Sequence, residues 1–500
     1  MQTLRDALDT HADARPDAPF ILAPEPDTAL TFEGLRRSAC ALHGVLARRG
    51  IVEGDVVSYM LPNGISAATV FLGAMYGGYV ASPISLLAQD AQIEYVLAHS
   101  GTRIVFAAPE FVEGLRALAA KIGARTEIVS TAPDDPGFAE PAARLALPSL
   151  ASATPAMLMY TSGTTGVPKG ALLSHGNMLH AGRSVTASLA LTAEDRVLSS
   201  LPLYHINGQC IATVSPLVSG GSNVMPHRFS VSQWWTLVER HRPTWLNMVP
   251  TIIAYLINGP ELTPGQRDAC RNLRFGRSAS APLPPDQHRA FESRFGVSVI
   301  EAMGMTETAS VSFSNPLDPA GRKYGSVGPP LGMEARVVAP DAAQCAVGTT
   351  GEVQLRGANV MLGYFHDPAN SAKAISADGW FATGDLGHRD ADGYYYITGR
   401  LKELIIKGGE NIAPREIDEA LLKHPAVLEA AAVGIPDRDY GQEILACIVL
   451  KPQAACTLDE LRAHCLRELG RYKTPKEIRI VAELPKGPSG KVQRLKLVGV

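Results

Sequence analysis

The 500-residue sequence contains little of what marks secreted, membrane or zinc-organised proteins. Its seven cysteines are scattered, odd in number and form no CxxC pair, which argues against a disulfide framework or a zinc site. No uninterrupted apolar run is long enough to cross a bilayer, and residues 1–20 lack the basic flank and apolar core of a signal peptide. We therefore expect a cytoplasmic protein.

The sequence also lacks an excess of charge of either sign. Lys and Arg number 46 against 49 Asp and Glu, so the formal net charge of −3 gives no field that would attract nucleic acid or an anionic membrane. Hydrophobic residues make up 46% and charged residues 19%, the mix of a packed globular protein. Small-molecule ligands are the expected partners, and the length predicts about two to four structural units.

Internal repeats and low-complexity tracts are also missing, and short apolar strands alternate with helix-length segments instead. In its clearest stretch the pattern predicts a helix capped by Thr31, a strand at 56–61, a helix through Tyr76 and a strand at 79–84. The alternation returns at 102–107 and again after residue 195, which predicts two parallel sheets covered on both faces.

From about residue 320 the pattern changes to short β-rich pieces separated by Gly, Pro and Asp turns, which predicts a small barrel or sheet over 320–399. Beyond it, alternating helix and strand continue over roughly a hundred residues, enough for a separate domain. We therefore predict an N-terminal domain over 1–399 and a smaller α+β domain over 400–500.

The sequence has no Walker P-loop, because that loop needs Ser or Thr directly after Gly-Lys, but it has another glycine-rich loop. The string YTSGTTGVPKG occupies residues 160–170 and follows an apolar, strand-like stretch at 156–159. Glycines let backbone amides turn toward an anion, hydroxyls add donors and a lysine adds positive charge, so polyphosphate is the predicted ligand. A flexible loop would also be rich in glycine and serine. The residues assigned to phosphate are Thr161, Ser162, Gly163, Thr164, Thr165, Gly166, Lys169 and Gly170.

This string resembles the signature of the adenylate-forming superfamily, which includes acyl-CoA synthetases, carrier-loading adenylation domains and firefly-type luciferases. Further motifs of the superfamily follow in the expected order: LPLYHING at 201–208, GMTET at 304–308, FATGD at 381–385, GRLKELIIKGGENIAPREID at 399–418 and PSGK at 488–491. The resemblance covers nearly the whole chain. It implies an α/β fold with two doubly wound N-terminal subdomains, a small β-barrel and a mobile C-terminal domain.

The resemblance also implies the reaction: adenylation of a carboxylic acid by Mg-ATP, then transfer of the acyl group to a thiol. In this scheme Lys491 reaches between the α-phosphate and the substrate carboxylate, Glu307 binds Mg²⁺ and Thr306 bonds the α-phosphate. Asp385 and Arg400 hold the ribose. Outside the family, a tail lysine is commonly solvated, Thr306 and Glu307 can begin a helix, and Gly-Asp can form a turn.

For the adenine, the resemblance implies contacts with Ser280, Ala281 and Pro282 of the segment GRSASAP. Met303 stands where the family usually has an aromatic residue that stacks on the base, so a softer apolar contact replaces the ring.

In the family the residue matching Lys402 is a hinge about which the C-terminal domain rotates between adenylation and thiol transfer. Gly408 and Gly409 would then leave room for the pantetheine arm of CoA. A Gly-Gly pair also forms hairpin turns, and that alternative stays open.

The acyl pocket is the part in which the sequence is least specific. His205 corresponds to a ring that borders the carboxylate and moves between states, although a buried core histidine is the alternative. The residues assigned to this pocket are His205, Asn207, Gln209, Met248, Ser278, Ser280, Met303, Gly304 and Ser310. Small polar groups and methionines favour a compact acid over a long alkyl chain.

Two strings, RSASAPL and SNPLDPAGRKYGSVG, resemble the subgroup that contains oxalate-CoA ligases and imply a short polar acid. That subgroup usually has His where this chain has Ser310, so oxalate itself is not expected. Free CoA is the expected thiol because no carrier module follows, and the last residues carry no peroxisomal address. A separate carrier protein, a luciferase-like oxygenase and a non-catalytic sensor are the alternatives, and the chain is expected as a monomer or homodimer.

Overall fold

The computed structural model describes residues 1–138, 145–161, 168–486 and 492–499. In these ranges the chain forms four sheets with helices packed around them.

The strands alternate with helices along most of the chain. In chain order they are β1 (Pro19–Ala23), β2 (Thr28–Thr31), β3 (Val56–Met60), β4 (Val80–Pro83), β5 (Ile104–Ala107), β6 (Glu127–Ser130), β7 (Pro155–Thr161), β8 (Lys169–Ser174), β9 (Arg196–Leu198), β10 (Ser222–Val224), β11 (Trp245–Met248), β12 (Phe275–Ser278), β13 (Val299–Met303), β14 (Phe313–Ser314), β15 (Glu334–Val338), β16 (Gly351–Arg356), β17 (Gly363–Tyr364), β18 (Phe381–Arg389), β19 (Tyr395–Arg400), β20 (Ile405–Lys407), β21 (Glu410–Ile412), β22 (Val427–Asp437), β23 (Gly441–Leu450) and β24 (Glu477–Ile480).

The α-helices are α1 (Leu4–Ala14), α2 (Phe32–Arg48), α3 (Ile65–Tyr76), α4 (Asp90–Ser100), α5 (Pro109–Lys121), α6 (His175–Ser188), α7 (Ser215–Ser219), α8 (Val231–His241), α9 (Pro250–Ile257), α10 (Pro264–Cys270), α11 (Pro285–Phe295), α12 (Pro368–Ala374), α13 (Pro414–Leu422) and α14 (Leu458–Lys473). A π-helix spans Asn207–Val214, and short 3₁₀ turns occur at Thr306–Thr308, Pro319–Gly321, Leu401–Glu403 and Arg494–Gly499.

Two large sheets form most of the N-terminal part. The eight-stranded sheet has the order β14-β13-β12-β11-β9-β10-β1-β2 and the seven-stranded sheet the order β17-β8-β7-β4-β3-β5-β6. Their central strands are parallel, while antiparallel strands lie at the edges. Every residue of β3 is buried, as expected for a strand covered by helices on both faces.

The local signals that predicted these elements are present in the structure. Thr31 caps α2, since its hydroxyl accepts the backbone N–H of Gly34 at 3.0 Å. The predicted strands at 56–61, 79–84 and 102–107 each appear, one or two residues shorter, as β3, β4 and β5. The α/β class and the two wound subdomains are therefore confirmed.

The two sheets share one apolar core. Phe20 of β1, Tyr59 of β3, Met157 of β7 and Phe275 of β12 belong to a single cluster of buried side chains. The Tyr59 hydroxyl also donates to the carbonyl of Leu203 at 2.6 Å and thereby joins the end of β3 to the LPLYHING segment. This shared packing fixes where the strands of the two sheets end relative to each other.

The β-rich stretch is a four-stranded antiparallel sheet in the order β15-β16-β18-β19. The sequence pattern predicted a small barrel or sheet, and the structure has the sheet, whose order is open with β15 and β19 at its ends. The edge of β19 is instead bonded to the segment before the sheet: Gly328 forms a bridge with Tyr395, and the Val327 N–H donates to the Tyr395 carbonyl at 3.0 Å. Because this segment occupies the edge of β19, that edge has no place for β15.

The C-terminal part has its own sheet, in which β23 pairs with β20, β22 and β24. Its two apolar clusters draw only on residues after 404, with α13 and α14 covering the sheet. The contact with the N-terminal part includes a hydrogen bond from the Arg415 guanidinium to the Ile397 carbonyl.

No disulfide joins the seven cysteines, all of which lie in the ranges that the structure describes. In those same ranges we find no helix that is both long and apolar enough to span a membrane.

Arg494 joins three parts of the C-terminal region. Its guanidinium lies 2.5 Å from the buried Asp418 carboxylate and 3.2 Å from Glu403, and it donates to the Ala432 carbonyl at 2.9 Å. Because Arg494→Met leaves Asp418 buried without its cation, we expect the C-terminal part to lose about 3–5 kcal/mol of stability. Differential scanning calorimetry measures the resulting fall in the unfolding temperature of the C-terminal part.

Two variants control for this effect. Arg438→Met removes an arginine whose side chain is 95% exposed and should leave the transition unchanged. Adding Asp418→Asn to Arg494→Met should recover part of the loss, since it removes the uncompensated charge. An unchanged transition in the Arg494 variant would contradict the assigned role.

Candidate active site

A cavity lies where strands of both sheets end. It has a volume of about 580 Å³ and is lined by residues that follow or close β4, β7, β12 and β13, among them Ile84, Thr161, Ser280 and Gly304. In open α/β sheets, ligands bind outside the carboxyl ends of the parallel strands, so this cavity is the expected site.

The GMTET segment is held rigidly at the wall of this cavity. Thr306 and Glu307 are both only 9% exposed and form one 3₁₀ turn. The Tyr364 hydroxyl donates to Glu307 Oε1 at 3.1 Å, and the Met361 N–H donates to the Glu307 carbonyl at 2.8 Å. Burial of Tyr364 is the main reason that its pKa is raised, and the negative charge of Glu307 raises this pKa further. The phenol therefore stays protonated and remains a hydrogen-bond donor.

Tyr364 also positions the end of the glycine-rich loop. The Lys169 ammonium lies 4.8 Å from the centre of the Tyr364 ring, and the two residues stand on neighbouring strands, β8 and β17. Thr161 and Lys169, the last and first residues of β7 and β8, both line the cavity. Ser162, Gly163, Thr164, Thr165 and Gly166 lie outside the described residues, and Gly170 stands in β8 behind the wall.

Asp385 and Arg400 form an ion pair across two neighbouring strands. They are register partners in β18 and β19, and Arg400 Nε lies 2.7 Å from Asp385 Oδ1. The side chain of Asp385 is 3% exposed, whereas that of Arg400 is 40% exposed and lines the cavity. The Asp385 carboxylate raises the pKa of Arg400 above its usual value, so this cation is permanent.

A second cavity of about 330 Å³ adjoins the first and shares Ser280, Gly304, Met305 and Arg400 with it. Ala281, Pro282, Met303 and Asp385 line this smaller cavity. The predicted adenine and ribose residues are therefore brought together at one place. Lys486 and Val492 of the C-terminal part line it as well, so that part closes the cavity.

The predicted acyl-pocket residues divide into two groups. His205, Ser280, Gly304 and Ser310 line the larger cavity, and Asn207 lies directly behind it, because its side-chain amide donates to Ser280 Oγ at 3.1 Å. Of the others, Met303 lines the smaller cavity, while Gln209, Met248 and Ser278 are fully buried. Gln209 donates to the Tyr59 hydroxyl and the Leu203 carbonyl, so its position serves the packing of the two sheets.

The residues assigned to domain motion lie in different places. Lys402 lines the larger cavity, while Gly408 and Gly409 form the turn between β20 and β21, with φ of 55° and 86°. Such values fit a two-residue hairpin turn, the alternative considered above. Lys491 lies outside the described residues, between Lys486 and Val492, the two residues that reach the smaller cavity.

Tyr364 is the contact that sequence reasoning missed. It stands 57 residues after Glu307 and belongs to none of the motifs. Only the pairing of Gly363–Tyr364 with β8 brings it into the site, and a two-residue strand has no pattern that reveals it.

Charge and shape together indicate what the site binds. Lys169, Arg400 and Lys402 surround the wall that carries Glu307, an arrangement suited to a polyphosphate. In the described ranges there is no group of three His, Cys, Asp or Glu side chains that would hold a metal ion unaided. Mg²⁺ fits one carboxylate plus phosphate oxygens, so Glu307 can hold it only together with the nucleotide.

These features define an adenylate-forming enzyme: a nucleotide-sized cavity at the junction of two α/β sheets, closed by a small C-terminal part. The chain belongs to the AMP-binding enzyme family, whose sequence model matches residues 8–365, and the model of the family's C-terminal domain matches 416–491. It is an AMP-forming acyl-CoA synthetase that uses ATP, Mg²⁺ and CoA.

The similarity to particular proteins extends over the whole chain. Sulfoacetate–CoA ligase of Cupriavidus necator is 55% identical over 99% of this chain and 97% of its own length. Oxalate–CoA ligase of Arabidopsis thaliana is 34% identical over 89% of this chain and 88% of its own length. The ATP-bound crystal structure of MatB from Rhodopseudomonas palustris is 30% identical, with a TM-score of 0.89 over 99% of this chain and 98% of that one. The apo structure of the same protein gives 0.79.

Gly304 tests the geometry of the GMTET wall. A Cβ there would lie 2.0 Å from the carbonyl oxygen and 2.2 Å from the carbonyl carbon of Ser310, so Gly304→Ala must displace the segment that carries Thr306 and Glu307. We expect kcat/KM for adenylation to fall about 100-fold, the cost of a misplacement of about 1 Å. Pyrophosphate exchange measures this.

The matched control is Gly114→Ala, in the middle of α5, where a Cβ meets nothing within 4 Å. It should keep full activity and gain about 0.5–1 kcal/mol of stability. Equal activity of the two alanine variants would show that the 304–310 backbone does not position the site.

Proposed function

We propose that this chain activates sulfoacetate, or a closely similar short acid, as its acyl-adenylate and transfers the acyl group to CoA. The observation that carries this choice is the 55% identity with the C. necator sulfoacetate–CoA ligase over 99% of the chain. The lining of the larger cavity supports it, because His205, Ser280, Gly304 and Ser310 contribute small or polar surfaces to it. Oxalate is disfavoured because Ser310 replaces the histidine usual in that subgroup.

In the first half-reaction a carboxylate oxygen of the acid attacks the α-phosphorus of ATP and pyrophosphate leaves. Two anions must approach each other, so the site has to orient both and offset their charge. Lys169 and Thr161 stand where the phosphate chain would enter, and Thr306 offers its hydroxyl to the α-phosphate. Glu307 would hold Mg²⁺, which supplies charge neutralisation on the phosphate oxygens. Lys491 is assigned to the developing charge between acid and phosphate.

The nucleoside is assigned to the smaller cavity. Asp385 would accept hydrogen bonds from the ribose hydroxyls, and Arg400, already ion-paired with it, would donate to the same sugar. The backbone at Ala281 and Pro282 and the thioether of Met303 would contact the adenine. A tightly oriented carboxylate such as Asp385 costs little further ordering when the nucleotide binds.

For the second half-reaction we propose that the domain at 400–500 rotates about Lys402 relative to 1–399. The separate apolar clusters after residue 404 support two rigid units. In the arrangement described here the residues that flank 487–491 reach the nucleotide cavity, as adenylation requires. The higher TM-score to ATP-bound than to apo MatB agrees with that arrangement. Rotation would withdraw Lys491 and bring Gly408 and Gly409, which lack side chains, to the path of the thiol.

The enzyme is proposed to act in the cytoplasm, since its seven cysteines form no disulfide. The reaction itself is tested by offering the purified chain Mg-ATP, CoA and a panel that contains sulfoacetate, oxalate, malonate, butyrate and benzoate. We expect sulfoacetate to give AMP and a sulfoacetyl thioester with the highest kcat/KM. Oxygen consumption without thioester would favour the oxygenase alternative, and an adenylate that only a carrier protein discharges would favour carrier loading.

Two variants separate the half-reactions. Lys491→Ala should slow pyrophosphate exchange by about 100- to 1,000-fold because it removes charge stabilisation in the transition state. Thioester formation from supplied acyl-adenylate should continue. Gly409→Leu should do the reverse, with near-normal exchange and thioester formation slowed about 100-fold by an obstructed thiol path.

Each variant has a matched control. Lys496→Ala removes another lysine of the C-terminal tail, and Gly393→Leu places a side chain at a second turn with positive φ and open space around it. Both controls should leave the ratio of the two half-reactions unchanged. If Lys491→Ala and Gly409→Leu damage both half-reactions equally, rotation about Lys402 is not the mechanism.

A further inference from the structure

Arg277 is a buried arginine that has no counter-ion among the residues the structure describes. It lies in β12, is 2% exposed and is among the largest fully buried side chains. Its Nη1 has no hydrogen-bond partner, and no carboxylate in the ranges 1–138, 145–161, 168–486 and 492–499 forms an ion pair with it. Burial alone lowers the pKa of Arg277 to about 10, so the group remains a cation at neutral pH.

A buried charge without a partner is costly, because the protein interior does not replace the water that solvated it. Two arginines that line the smaller cavity have acids: Arg400 pairs with Asp385 and Arg494 with Asp418. The carboxylate on the strand beside Arg277 is Glu301 of β13, but its register partner in β12 is Ser278, so it points to the opposite face. There Glu301 accepts the Leu283 N–H.

The face of the sheet that carries Arg277 leads to the larger cavity. Side chains alternate along β12, so Arg277 shares a face with Phe275, which belongs to the core between the two sheets, and with Ala279, which lines the cavity. Arg277 therefore lies one side chain deeper than the cavity wall.

Its register partner Asn247 makes the same connection. Asn247 donates to Asn207 at 3.0 Å, and Asn207 donates to Ser280 at the wall at 3.1 Å. By strand register, Arg277 thus lies beside a chain of hydrogen bonds that continues to the surface of the cavity at which the acid is proposed to bind.

We propose that Arg277 is the specificity-determining residue that binds a second anionic group, a sulfonate or a carboxylate, at the far end of the acid. This inference rests on the proposed function, in which the same cavity receives a short acid. A guanidinium presents a planar fork of donors that matches the oxygens of either group. An alkyl or aromatic end would leave the cation buried and unpaired, so the same residue that attracts a short diacid rejects a simple acid of similar length.

The test compares Arg277→Met and Arg277→Lys with wild type by pyrophosphate exchange. The charged acids are sulfoacetate and malonate, whose far ends are anionic, and the uncharged acid is methylsulfonylacetate, whose far end is a neutral sulfone. In Arg277→Met we expect kcat/KM for the two charged acids to fall about 30- to 1,000-fold relative to the uncharged acid, as for truncation of one partner of a buried charge pair. Arg277→Lys keeps the positive charge but lacks the planar fork of donors. Its relative kcat/KM for the charged acids should therefore lie between those of wild type and Arg277→Met. Sulfoacetate and malonate together distinguish a sulfonate site from a carboxylate site.

Thermal unfolding without substrate separates recognition from a structural role. Because Arg277→Met removes an uncompensated buried charge, its Tm should equal or exceed that of wild type. The control is Arg274→Met, just before β12, which breaks an ion pair of 2.6 Å with Asp195. It should lower Tm and leave the preference for charged acids unchanged.

A lower Tm for Arg277→Met together with an unchanged ratio between charged and uncharged acids would overturn the proposal. Wild-type enzyme that adenylates butyrate or benzoate but neither charged acid would also overturn it, although the ligase function would stand. If none of the acids offered supported pyrophosphate exchange by the wild-type enzyme, the proposed function itself would be contradicted.

Discussion

The two α/β sheets pack on one apolar core, and this shared packing decides where the functional segments lie. Once Phe20, Tyr59, Met157 and Phe275 are buried together, the carboxyl ends of parallel strands from both sheets must open onto the same space. Thr161 and Lys169, on either side of the hydroxyl-rich loop, line that space from one sheet, and the GMTET turn lines it from the other. A space lined by residues of two sheets is long enough to suit an extended ligand such as a nucleotide.

Within that space, charge is arranged in two ways. Arg400 and Asp385 are paired before any ligand arrives, so they offer an ordered surface to a sugar whose hydroxyls are neutral. Arg277 has no such partner in the described part of the chain, and the cost of burying it is offset only by an anion from outside. The paired charges of Arg400 and Asp385 would thus orient a ligand, whereas the unpaired charge of Arg277 would discriminate between ligands with and without an anionic group.

The C-terminal part completes the nucleotide cavity without sharing the core of the N-terminal part. Its sheet and helices bury their own apolar clusters, and its contacts across the boundary include a polar one, the bond from Arg415 to the Ile397 carbonyl. Polar contacts of this kind exchange partners at small cost, while a shared core would not. A rotating closure for the cavity is therefore compatible with two stable halves.

The sequence by itself determined the α/β class and the reaction, and it predicted a set of nucleotide residues, because all of these depend on short contiguous strings. Residues 304–308 and 381–385 carry their chemistry within a single turn or strand, and local patterns fix such units. Only the tertiary structure decided which residues meet across long separations. Tyr364 reaches Glu307, the edge of β19 is occupied by the segment at Gly328, and Gln209 supports packing instead of lining the cavity. The sequence pattern does not distinguish Arg277 from other strand residues, because burial and the lack of a counter-ion among the described residues are properties of the folded chain.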